Sequence, residues 1–140
     1  WMPGLVREKG IDLERDSRVE MKEYFYNMPT LMAAADVMIS RAGASTCNEI
    51  AAAGLPCILI PSPNVTNNHQ EKNARVLEGR QGAVVVLEKD CTAPALYGEI
   101  KSLLADPGRR AEMGKNLRQM VRLDSAERIC DIVEQIAKRA

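Results

Sequence analysis

Net charge is absent from this chain: 19 lysines and arginines are balanced by 19 aspartates and glutamates. That balance argues against a nucleic-acid partner, which calls for a basic excess. Long apolar runs are absent too. No run approaches the ~20 residues that a helix needs to cross a bilayer. There is a single histidine, and the four cysteines (Cys47, Cys57, Cys91, Cys130) form no C-x-x-C pair. A zinc or other metal site is therefore not expected, and the cysteines read as reduced thiols of a cytosolic protein, packed as small hydrophobes. Walker and G-x-G-x-x-G phosphate loops are missing, as is the G-x-S-x-G turn of a serine hydrolase, so no catalytic residue is assigned. No typical leader opens the chain. It starts on Trp1 rather than an initiator methionine, which reads as a piece of something longer.

What is present is an alternation. Short apolar runs at 36–40, 57–61 and 83–87 suit strands buried on both faces. Residues 18–24 alternate apolar and polar side chains, which predicts a further strand. Helical stretches lie at 5–9, 30–35, 46–53 and 68–78. The βαβαβαβ order predicts an α/β fold, a Rossmann-like open parallel sheet with flanking helices and right-handed crossovers. Three helices follow. Thr92 caps the first, Asp106-Pro107 opens the second, and Asp124 with Glu127 has capping-box spacing for the third. The third places Ile129, Ile132, Val133 and Ile136 on one stripe. No repeat or linker divides the chain, so 1–140 reads as one domain.

In an open parallel sheet, ligands bind beyond the carboxyl ends of the strands. Three turns should converge there, at 24–29, 41–46 and 62–70. In the middle turn, Gly43 lets a ligand approach the backbone. Ala44, Ser45 and Thr46 begin a helix whose free N–H groups favour a phosphate. Glu49 has two readings. It closes a capping box on Thr46, or it is free to hold a sugar hydroxyl. In the third turn Asn67 is the expected cap, with Gln70 at the third position and His69 beside it. Tyr24, Phe25 and Tyr26, three of only five aromatics, pack in the core or wall a flat ring. Together these features suggest a nucleotide-linked ligand.

The stretch RAGASTCNEIAAAGLPCILIPSPNVTNNHQEKNA, from Arg41 to Ala74, closely resembles the C-terminal domain of the bacterial peptidoglycan N-acetylglucosaminyltransferases, the MurG type. The upstream FYNMPTLMAAADVMISRAG also fits, and the resemblance spans nearly the whole chain. It implies one half of a two-domain, B-type glycosyltransferase, whose C-terminal domain binds UDP-GlcNAc as donor substrate, with no cofactor. The full enzyme would add GlcNAc, with inversion, to undecaprenyl-linked lipid I, giving lipid II at the inner face of the plasma membrane. By the resemblance, Phe25 recognises uracil through its backbone, with Met28 beside it. Ala44, Ser45 and Thr46 meet the diphosphate, Glu49 holds the ribose hydroxyls, and Gln70 lies near the GlcNAc hydroxyls. The family pattern has a second Gln where this chain has His69. The expected partners are UDP-GlcNAc, an N-terminal acceptor domain carrying the general base, and lipid I through that domain. The isolated chain is expected to bind donor weakly, to be inactive, and to self-associate through its last helix. Two rival readings remain. One is a free-standing donor subunit or related lipid glycosyltransferase; the other is a non-catalytic nucleotide-sugar-binding module.

Overall fold

The computed structural model describes residues 2–13 and 15–138. Its centre is a three-stranded parallel sheet in the order β1-β2-β3. The strands are β1 (Met38–Ser40), β2 (Cys57–Leu59) and β3 (Ala83–Val85). Ile39 pairs with Ile58, and Ile58 with Val84. The helices are α1 (Met2–Glu8), α2 (Met28–Ala34), α3 (Ala44–Ala53), α4 (His69–Gly79), α5 (Ala93–Ala105), α6 (Pro107–Arg118) and α7 (Ser125–Ala137).

β2 explains the layering. Its three residues are fully buried, as expected of a central strand covered on both faces. Alternation sends Cys57 and Leu59 to one face and Ile58 to the other. Cys57 and Leu59 join Met32, Ile50, Ala51, Ala74, Leu77 and Leu117. Ile58 meets Leu103 and Met113, with Val37, Val84, Val86, Leu96 and Ile100 packed around them. Burial pushes the Cys57 thiol up to about 12, with a smaller push from Cys47. It is an inert core group at neutral pH. All four cysteines are free. Cys130, however, is exposed, so the expectation that every cysteine packs as a core hydrophobe fails there.

Local signals place two of the helix starts, those of α5 and α6. The Thr92 side chain accepts from the Ala95 N–H at 3.3 Å, and Asp106 accepts from Arg109 N–H at 2.8 Å. Both are N-caps, each followed by proline within the first two helical positions. α3 stops at Gly54, whose φ of 63° is left-handed and whose N–H returns to the last turn. Asp124 holds the N-cap position of α7 but makes no side-chain cap hydrogen bond, so the expected capping box is not formed.

Three further expectations are corrected. Residues 18–24 form no strand. Alternation alone does not make a strand; a hydrogen-bonded neighbour does. This segment runs exposed and pairs its charges locally, Asp16 with Arg18 and Glu20 with Lys22. The helix expected at 46–53 begins two residues earlier, at Ala44, and its N-cap is Gly43. The helix expected at 68–78 begins at His69, and its N-cap is Asn68 rather than Asn67. Asn67 and Asn68 both have left-handed φ, 54° and 51°, a conformation that asparagine tolerates better than most residues. They tighten a 3-10 turn (Thr66–Asn68) ahead of α4.

Candidate functional site

α3 leaves β1 through a three-residue turn, and its first intrahelical hydrogen bond runs from Cys47 N–H to Gly43 O at 2.9 Å. The N–H groups of Ala44, Ser45 and Thr46 therefore have no acceptor within the helix. Gly43 offers no side chain to cap them, and no acidic residue lies in the first turn. The start of α4 is different. Glu71 sits in its first turn and accepts from Asn68 Nδ2 at 2.6 Å. That hydrogen bond is the largest influence lowering the Glu71 pKa, so the carboxylate stays ionised. A carboxylate there repels an anion. The diphosphate-friendly helix start is α3.

The shifted start of α3 decides between the two readings of Glu49. With Gly43 as N-cap, Thr46 is the third helical residue and Glu49 the sixth. A capping box needs its carboxylate at the third position, so Glu49 cannot cap this helix. Its side chain is exposed and lines a cleft of about 730 Å³ with Tyr24, Phe25, Tyr26, Met28 and Met32. Ala52 and Ala53, at i+3 and i+4 from Glu49, floor the same cleft. Small residues there keep the groove between α2 and α3 open. Residues 32, 52 and 53 were not anticipated in the sequence, although the 49/52/53 spacing was a usable signal.

The aromatic segment divides its roles. Phe25 is half-buried, with Lys22 Nζ 5.7 Å from its ring centroid. Tyr24 and Tyr26 are 66% and 92% exposed, so they are wall rather than core. Their rings meet edge to face at 4.7 Å between centroids. Met28, half-buried, opens α2 below them.

The cleft thus gathers Phe25, Met28 and Glu49. Gly43, Ala44, Ser45 and Thr46 lie at the amino end of the helix that carries Glu49, outside the cleft lining. His69 and Gln70 stand at the start of α4, tied to the same sheet edge. Gln70 Oε1 accepts from Ser62 N–H at 3.0 Å, and Asn73 Nδ2 donates to Ala42 O at 3.1 Å. Arg41 Nη1 donates to Ile60 O at 3.1 Å and pairs with Glu88, joining the ends of all three strands. With Asn68 as the N-cap, Gln70 is the second helical residue rather than the third, and its oxygen goes to Ser62. A second cleft, of about 570 Å³, lies at the opposite edge of the sheet. Glu78, Glu99 and Glu112 line it with one arginine, Arg109, which makes it the poorer host for a diphosphate.

Gly43 has φ −65° and ψ 148°, backbone that any residue adopts. A Cβ there would meet only Thr46 Oγ1, at 3.7 Å. The protein itself has room for alanine; a phosphate resting on the α3 amides, as the resemblance implies, would meet the added methyl group. Gly43→Ala is expected to cost less than about 1 kcal/mol of stability, and to weaken UDP binding more than uridine binding. Calorimetric titration with the two ligands checks this.

The family model described as the glycosyltransferase family 28 C-terminal domain matches residues 5–134. A UDP-N-acetylglucosamine--N-acetylmuramyl-(pentapeptide) pyrophosphoryl-undecaprenol N-acetylglucosamine transferase of Caldanaerobacter subterraneus subsp. tengcongensis is 50% identical over 133 residues, 94% of this chain and 36% of that protein. The transferase of the same name from Thermoanaerobacter sp. (strain X514) is 47% identical over 131 residues, 94% of this chain and 35% of the relative. The chain thus spans about a third of the length of the curated relatives it matches. Among solved structures, Acinetobacter baumannii MurG superposes with a TM-score of 0.74 at 25% identity, covering 83% of this chain and 33% of that one. The glycosyltransferase VinC, in complex with dTDP, shares the fold with a TM-score of 0.75 at 19% identity, covering 98% and 33%. With a family match over nearly its whole length and half of its residues shared with a curated relative, the chain belongs to the glycosyltransferase family 28 C-terminal domains.

Proposed function

We propose that this chain is the UDP-GlcNAc-binding domain of an inverting N-acetylglucosaminyltransferase. The full enzyme transfers GlcNAc to undecaprenyl-pyrophosphoryl-MurNAc-pentapeptide, converting lipid I to lipid II in peptidoglycan synthesis. The observation that carries the reading is the pairing of an uncapped, acid-free α3 start with a non-capping Glu49 one and a half turns along the same helix. That spacing suits a diphosphate and its ribose. The identity of the sugar comes from the relatives' names.

In this reading uracil enters the cleft beside Phe25 and Met28, and Glu49 accepts from the ribose hydroxyls. The diphosphate rests on the Ala44, Ser45 and Thr46 amides. Transfer breaks the bond between the anomeric carbon and the diphosphate, leaving negative charge on UDP. Fixed amide dipoles at a helix start stabilise such charge without reorganising. The acceptor hydroxyl and the base that takes its proton belong to an acceptor-binding domain, the main macromolecular partner. The full enzyme sits peripherally on the cytoplasmic membrane face. Among the described residues no helix is long and apolar enough to cross a membrane.

Titration with UDP, UDP-GlcNAc and UDP-GalNAc tests the donor reading. UDP-GlcNAc should bind, with most of its affinity retained by UDP. Joining the chain to the acceptor domain of a relative should then give GlcNAc transfer, and a fusion that binds donor without transfer would favour a non-catalytic module. In α7, Ile129, Ile132, Val133 and Ile136 are each 55–64% exposed. In the isolated chain this stripe is the surface on which copies associate. Sedimentation should therefore show concentration-dependent dimers, lost in Ile132→Glu.

A further inference from the structure

The end of α3 is completed by a side chain from another helix. Gly54 N–H returns to Ala51 O and Leu55 N–H to Ile50 O, both at 3.1 Å, the paired bonds of a helix closed by a left-handed glycine. They satisfy two carbonyls of the last turn. The Ala53 carbonyl finds its donor in α6: Arg118 Nη2 donates to it at 3.2 Å. A guanidinium there also lies at the negative end of the α3 dipole. The contact is close on both sides of the hydrogen bond. A Cβ on Gly54 would stand 2.6 Å from Nε and Cζ of Arg118, and one on Gly114 would stand 2.6 Å from the Gly54 carbonyl oxygen. The end of α6 and the Arg118 side chain thus meet the end of α3 with no space for a methyl group.

We infer that Arg118 is a positioning residue for the nucleoside half of the donor site, acting through the last turn of α3. The inference rests on the donor-binding reading above. In that reading α3 carries both halves of the site. Its amino end faces the diphosphate, while Ala52 and Ala53 floor the cleft beside Glu49. Ten residues place the two ends about 15 Å apart. Each end has its own anchor. Asn73 Nδ2 holds the turn before the amino end through Ala42 O, and Arg118 holds the carboxyl end. Arg118 does not line the cleft, so its effect passes through Ala53. Without that donor the Ala53 carbonyl turns to water and the last turn frays. The floor under base and ribose then loses its place, while the amides at the amino end keep theirs.

The test follows uridine and UDP binding by backbone amide shifts in the ¹⁵N-labelled chain, as wild type, Arg118→Met and Arg118→Lys. Methionine keeps an apolar stem over Gly54 and donates nothing; lysine keeps a cation and a donor. The same spectra report whether each variant is folded. Arg118→Met should weaken both ligands by one common factor, roughly 2- to 12-fold, the span of a single hydrogen bond. The ratio of UDP to uridine affinity should stay unchanged, and Arg118→Lys should recover part of the loss. A purely structural Arg118 would lower the unfolding midpoint and leave the affinities of the folded protein alone. Coupling is reciprocal, so the wild type gives a second reading that needs no variant to fold: UDP should slow hydrogen exchange at the Gly54 and Leu55 amides. Unchanged affinities in folded Arg118→Met, a loss confined to UDP, no recovery in Arg118→Lys, or unaltered exchange at those two amides each overturns the inference and leaves the donor site standing. Failure of the wild type to bind UDP at all removes the donor-site reading and this inference with it.

Discussion

Glu49→Ala is expected to weaken UDP binding by about 1.5–3 kcal/mol, roughly 10- to 150-fold, while leaving the fold as stable as the wild type within ~0.5 kcal/mol. The affinity loss follows from removing an ionised acceptor from the ribose hydroxyls. The unchanged stability follows from the position of Glu49 in α3. It is the sixth helical residue after an N-cap at Gly43, it makes no hydrogen bond or ion pair among the described residues, and it faces an open cleft. Alanine is itself a better helix former. Had the carboxylate capped the helix, the same change would cost about 0.5–2 kcal/mol of stability. Titration with UDP and with 2′-deoxy-UDP separates the outcomes further. The deoxy ligand should bind the wild type more weakly and should lose less on mutation, because the two changes remove one interaction. Equal losses for both ligands would detach Glu49 from that hydroxyl.

The second large effect is on the fold. Gly114→Ala is expected to destabilise the chain by about 1–3 kcal/mol, in the range of an overpacked core. A Cβ at Gly114 would lie 2.6 Å from the Gly54 carbonyl oxygen, and backbone cannot rotate out of the way as a side chain can. α6 would have to lift from the end of α3, where Leu117 joins the buried cluster around Ile50 and Leu59. The control is Gly98, inside α5 with nothing within 4 Å of its would-be Cβ. Gly98→Ala should stabilise by about 0.5–1 kcal/mol through helix propensity alone. Urea unfolding of the two variants should therefore move the midpoint in opposite directions. A shift of the same sign in both would mean that the α3–α6 contact yields.

Features set by local chemistry were legible in the sequence. The sheet centre was readable because CILI is bracketed by Gly54-Leu55-Pro56 and Pro61. α5 and α6 announced themselves through Thr92 and Asp106, caps that act over three residues. Non-local features were not readable in the same way. Residues 18–24 have the right alternation, yet no neighbouring strand pairs with them. The start of α3 was hidden because Thr46 and Glu49 imitate a capping box, while the true N-cap, Gly43, has no side chain to signal its role. Of the site, the residue types in the three turns could be named in advance, and the resemblance supplied their roles. The groove between α2 and α3, with Ala52 and Ala53 as its floor, needed the packing of two helices. So did the anchoring of His69 and Gln70 to Thr66 and Ser62, which joins residues three and eight positions apart through turns that composition does not specify.

The central claim is that one edge of this domain, from the aromatic loop through the start of α3 to the start of α4, holds a UDP-sugar. The most direct measurement is a titration of the ¹⁵N-labelled chain with UDP-GlcNAc, following backbone amides. Shifts should concentrate at Phe25, at Ala44 to Thr46, and at Glu49, with Gln70 responding to UDP-GlcNAc and not to UDP. Silence at these amides at millimolar ligand, or shifts grouped instead around Glu78, Glu99 and Glu112 at the opposite edge, would contradict the account.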